Sequence, residues 1–119
     1  MRKAIAILFT AFLITAFAKE VVASESCRSL TQMMNDEHFT ITGPLSVEEL
    51  EKTHMIEIRE TGKLLPFGYL NASWVKLKSM MKRRDKIYFV AFRDRDFYQD
   101  SHLLIRDNCV VFVIPGKIT

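Results

Sequence analysis

Three histidines, His38, His54 and His102, are the side chains of this chain whose ordinary proton affinity suits acid–base work near neutral pH. A hydrolytic site built on one of them needs a nucleophile within hydrogen-bond reach and a carboxylate to orient the ring. No Gly-x-Ser-x-Gly turn or other nucleophile signature accompanies them. His102 follows "DS" at the start of an apolar run, where a structural histidine is the commoner outcome. A small hydrolase-like enzyme using His102 or His38 with a nearby carboxylate is therefore the second reading. The first is a binding or inhibitor-type protein without catalytic residues, acting through a surface loop.

Metal ligands are sparse. "DRDFYQD" puts Asp94, Asp96 and Asp100 in one short segment. A calcium loop needs alternating oxygen ligands, a glycine at its sharp turn and a late glutamate. Here the glycine is missing, and Arg93 and Arg95 compete for the carboxylates. Met33-Met34 and Met80-Met81 offer soft thioethers suited to Cu(I), but methionine more often fills gaps in small cores. No metal and no cofactor is expected.

Two surfaces remain. "FRDRDFYQDS" lies between apolar stretches and reads as a surface connection between strands. Its arginine and tyrosine are types enriched at binding hot spots, so Arg93, Arg95, Phe97 and Tyr98 form the candidate contact surface. "MMKRRDK" supplies Lys82, Arg83, Arg84 and Lys86, a basic patch at a helix end that suits an anionic surface. That makes a third reading, with a membrane surface as the lesser partner.

The compartment follows from the N-terminus and the cysteines. "MRK", the uncharged run "AIAILFTAFLITAFA" and the polar "KEVVA" have the order of a secretory signal peptide over residues 1–23. Cleavage falls after Ala23, with Ala16-Phe17-Ala18 as a second site. The apolar run is shorter than the roughly 20 residues of a membrane span. Removing Arg2, Lys3, Lys19 and Glu20 takes 17 basic and 14 acidic residues to 14 and 13, a net charge of +1. Nucleic acid is not an expected partner, because its binding rests on net phosphate neutralisation. Cys27 and Cys109, the two cysteines, then meet an oxidising compartment and read as a disulfide. The localisation is periplasmic or secreted. The expected partner is another exported or envelope protein, with a homodimer as an alternative.

These residues need elements to place them. "SLTQMM" suggests a short helix after Cys27, and "NDEHFTITGP" a loop with an extended piece. Ser46 and Glu49 have capping-box spacing, with Leu45 and Leu50 as a staple, so a helix starts there and ends near Thr53. "HMIEIRE" alternates as a half-exposed strand. "NASWVKLKSMMKRR" is a helix capped by Asn71 or Ser73, with Trp74, Leu77 and Met81 on one stripe. "KIYFVAF", "HLLIR" and "CVVFVI" are strands, the last two joined by a turn at Asp107-Asn108 that sets Arg106 against Cys109. Strict alternation puts Leu103, Ile105, Val110, Phe112 and Ile114 on the face under the Trp74 helix. It puts His102, Leu104, Cys109, Val111 and Val113 under the N-terminal segment. The fold class is α+β, a single domain over residues 24–119. An antiparallel meander of three to four strands packs there with two short helices.

Overall fold

The structure, a computed structural model, describes residues 27–119. The leader and both of its cleavage sites lie outside the described residues. In chain order the elements are α1 (Leu30–Met34), β1 (Phe39–Leu45), α2 (Val47–Thr53), β2 (Met55–Glu57) and β3 (Leu64–Pro66). A 3-10 turn (Gly68–Leu70) follows, then α3 (Asn71–Met80), β4 (Lys86–Asp94), β5 (Phe97–Arg106) and β6 (Cys109–Ile118). An antiparallel four-stranded sheet has the order β1-β4-β5-β6, and β2 and β3 form a separate two-stranded ribbon. This is the expected α+β class.

β1 is a full edge strand where the sequence suggested a loop. Gly43 and Pro44 read as punctuation, yet a register shift between Thr42 and Leu45 absorbs them at the sheet edge, where proline is tolerated. α2 begins as expected, with Ser46 Oγ accepting from the Glu49 N–H at 3.1 Å and Leu50 turned inward. α3 lacks its expected cap. It continues from the 3-10 turn, and Asn71 Nδ2 instead donates to the Pro66 carbonyl at 3.0 Å. Trp74 and Leu77 are sealed in the core, and the indole N–H is satisfied by Glu51 at 2.8 Å.

α3 also stops earlier than expected, at Met80. The Asp85 carboxylate accepts from the Lys82 N–H at 2.9 Å, while the Asp85 N–H donates to the Lys82 carbonyl at 3.0 Å. This bracketed turn competes with a further helical turn. Lys82, Arg83 and Arg84 therefore lie on a turn and not on a helix end.

The β5–β6 hairpin has Asp107 and Asn108 at positive φ, with Arg106 opposite Cys109. The expected alternation fails one step further on. Ile105 pairs with Val110 but Leu104 pairs with Phe112, so Val111 is a bulge and the later β6 residues change faces. The two covers are also exchanged for Leu103, Ile105, Val110 and Leu104, while Phe112 and Ile114, beyond the bulge, lie on the Trp74 side as expected. Leu104, Ile87 and Ile114 pack with Leu50, Phe67, Trp74 and Leu77, whereas Leu103, Ile105 and Val90 pack with Leu30 and Met33 of α1. The sheet is thus a shared wall between two cores.

α1 is fastened at one end of that wall. Cys27 and Cys109 are bonded, with Cα atoms 5.4 Å apart. Val110 N–H donates to the Arg28 carbonyl at 2.9 Å and Leu30 N–H to the Asn108 carbonyl at 3.0 Å. The Asn108 side chain accepts from Thr31 N–H (3.1 Å) and Thr31 Oγ1 (3.0 Å) and donates to Ser29 Oγ (2.9 Å). Asn108 holds both a left-handed turn and the helix. Asn108→Gly keeps the turn and is expected to cost about 1 kcal/mol. Asn108→Ala adds backbone strain and is expected to cost about 2 kcal/mol, both read from urea unfolding. Equal costs would show that the turn carries no strain.

Candidate functional site

The segment expected as a contact loop is a tight hairpin. β4 runs to Asp94 and β5 starts at Phe97, so only Arg95 and Asp96 remain at the tip, with Arg95 at φ 54°. Cross-strand pairs stabilise it: the Arg93 guanidinium lies 4.8 Å from the centre of the Tyr98 ring, and Phe97 meets Phe92 edge-on at 6.0 Å. Aromatic side chains favour strands, and here that preference overrides the alternating charges.

Strand geometry also divides the candidate residues. Arg93 and Tyr98 are paired and share the face of Phe89 and His102, on the helix side. Phe97 shares the opposite face with Phe92 and Gln99. Tyr98 is half-buried, and its hydroxyl donates to Asp100 at 2.8 Å, a bond that raises the phenol's pKa. Asp100 also accepts from the Lys117 N–H at 2.8 Å, which ties the end of β6 to β5.

On the opposite face α1 covers only part of the sheet. From its margin, where Phe39 packs against the α1 core, Phe39, Phe92 and Phe97 form an edge-on row, with centres 5.0 and 6.0 Å apart. Phe97 is 43 % exposed, and Val113, opposite Leu103 on β6 further along the same face, is 41 % exposed. A hollow of about 180 Å³ opens between α1 and this row, bordered by Arg28, Met33, Gln99 and Ser101. Of this surface the sequence reading named only Phe97. Phe92 was within reach, because it lies five residues before Phe97, across a two-residue tip; Phe39 required knowing that β1 pairs with β4.

The histidines are engaged differently from one another. His38 sits between carboxylates, with Nδ1 2.9 Å from Asp36 and Nε2 3.8 Å from Asp94. Its hydrogen bond to Asp36 raises its pKa, and the ring bridges Asp36 and the hairpin residue Asp94. His54 Nδ1 approaches Thr53 Oγ1 (2.8 Å) and the Leu50 carbonyl (3.2 Å). Thr53 Oγ1 itself donates to the Glu49 carbonyl at 2.9 Å, so it is occupied as a helix side-chain bond. His102 is buried in β5 and hydrogen-bonds no described residue. Among the described residues none of the three rings pairs with both a free hydroxyl and an orienting carboxylate.

The candidate ligands for metals are separated. Asp94 faces His38 while Asp100 serves Tyr98 and Lys117. Met33 packs under α1, and Met80 and Met81 pack on the other side of the sheet. No cluster of three or more histidine, cysteine or acidic side chains suited to a metal occurs among the described residues. In the basic segment Asp85 turns inward and binds Arg106 at 2.7 Å. Lys82, Arg83, Arg84 and Lys86 stay exposed and make no ion pair among the described residues.

The fold and this surface define a small disulfide-closed α+β domain whose sheet is covered on one face and half covered on the other. The disulfide marks a non-reducing compartment, and no described helix is long and apolar enough to cross a membrane. No family model, no curated protein and no solved structure matches the chain.

Proposed function

We propose that the protein is a non-catalytic binding module of an exported compartment, periplasmic or secreted. It engages another exported or envelope protein through the open half of its sheet. The observation behind this reading is the row Phe39–Phe92–Phe97, half-buried at Phe39 and Phe92 and exposed at Phe97, at the margin of the face that the disulfide-held α1 covers in part. Aromatic side chains bring large contact area with little rotamer entropy to lose, and exposed apolar patches of this kind mark interaction sites. Arg28 at the rim supplies a cation suited to an acidic group on the partner.

The test uses immobilised protein and extracts of the exported compartment. Phe97→Ser/Val113→Glu alters only the open face and is expected to lower capture of a specific partner at least about tenfold. Arg93→Ala/Tyr98→Ala alters the other face and is expected to leave capture unchanged. Capture that follows the second variant, or neither, would remove the open face from the function.

A further inference from the structure

A second cavity lies on the helix side of the sheet, away from the aromatic row. It is a cleft of about 270 Å³ between β1, α2 and the sheet. Leu45, Leu50 and Phe89 form its apolar walls, His102 and His54 also line it, and Glu49 borders it. We propose that this cleft binds a small, uncharged, largely apolar molecule that presents one hydroxyl to the ring of His102. A phenol is the simplest member of the class.

The argument starts from His102. The residue is only 7 % exposed, and neither ring nitrogen hydrogen-bonds a described residue. Yet among the described residues no buried side-chain nitrogen or oxygen is both sealed from solvent and unpaired, so the ring nitrogens retain access to the outside. The cleft is where His102 meets open space. Polar groups at such depth are ordinarily partnered. Here the cleft is the open space from which a partner can reach the ring.

The chemistry of the walls narrows the class. Burial holds the His102 ring neutral at pH 7, so it offers one donor and one acceptor. A hydroxyl, which donates and accepts, matches either tautomer. No lysine or arginine lines the cleft and Glu49 borders it, so an anion finds no counter-charge. The Nδ1 of His54 is already engaged, 2.8 Å from Thr53 Oγ1 and 3.2 Å from the Leu50 carbonyl. His54 stacks on Phe67 at 4.8 Å, and Phe67 stacks on Trp74 at 4.8 Å. An occupant against His54 and His102 is therefore two rings from the single tryptophan of the chain. This site is independent of the surface proposed for the protein partner, which lies on the other face.

The test titrates the oxidised protein at pH 7 with 4-methylphenol and, separately, with toluene, which has the shape without the hydroxyl. Ring-proton NMR of His102 and Trp74 fluorescence are the readouts. Saturable millimolar binding of 4-methylphenol is expected, centred on His102, with toluene roughly tenfold weaker. His102→Phe should abolish that preference. Thr42→Trp, at the exposed lining of the cleft on β1, keeps His102 and, read by the His102 ring protons alone because it adds a second tryptophan, should block both ligands. Non-saturating shifts, equal binding of the two ligands, or binding that survives Thr42→Trp would overturn the proposal.

Discussion

Replacing Cys27 and Cys109 together by serine is expected to lower stability by about 4.5 kcal/mol, because the bond closes a very long loop in the unfolded chain. The sequence separation is 82 residues. A loss of that size is a large part of a small domain's stability. Its distribution should be uneven. α1 contributes Leu30 and Met33 to one core but is only five residues long, too short to persist alone. Once the bond is absent, its backbone bonds to Asn108 and Val110 have to hold an untethered end. Hydrogen exchange should therefore rise first in residues 28–34 and early β6, while Trp74, Leu77 and Leu104 stay protected in the other core. Urea unfolding of the oxidised wild type against the double variant measures the size of the effect, and exchange measures its place. A loss under about 1 kcal/mol with α1 amides still protected would mean that packing, and not closure, holds the helix.

The elements that were legible in the sequence are those specified by local chemistry. Ser46 and Glu49 start α2, Asp107 and Asn108 make the hairpin turn, and an even cysteine count gives the bond. What was hidden depends on pairing across the sheet. β1 is a strand because β4 supplies its hydrogen bonds, whereas Gly43 and Pro44 alone argue against it. The bulge at Val111 exists because of how β6 lies on β5, and it overturns a face assignment that strict alternation makes unavoidable. The candidate surface shows the same division. The types of Arg93, Phe97 and Tyr98 were informative, but a loop assignment placed them together and a strand separates them onto two faces. Phe39 entered the row only through its pairing with Phe92. Residue type predicted that this region has aromatic surface; register decided which aromatic group is free to use.

The second large effect is a pH dependence carried by His102. Its ring packs against Phe67, Phe89 and His54, with centres 5.0 to 5.1 Å away. Burial first, and then the neighbouring His54, pull its pKa from 6.5 down to about 4, with Asp100 opposing. In the unfolded chain the imidazole titrates near 6.5. Between those values the unfolded state binds more protons than the folded state. Stability from this group is therefore complete above 6.5 and declines as pH falls toward 4. The full displacement corresponds to about 3 kcal/mol. Other shifted groups act at the acid end of this window or outside it. Glu51 beside Lys78 has a pKa lowered from 4.5, and Asp85 beside Arg106 and Asp36 beside His38 have values lowered from 3.8, so their contributions begin to fade only near the acid end and below it. His38 has a raised pKa, so its contribution is complete below 6.5 and declines only as pH rises. His102→Phe keeps an aromatic ring in the cluster and removes the titrating group. Its unfolding free energy should be nearly flat from pH 6.5 to about 5.5 and fall less than that of the wild type toward pH 4, where the carboxylates add their own slope. If the two slopes proved the same, water in the cleft would already be solvating the His102 ring, and its neutrality at the floor of the cleft could not be credited to burial.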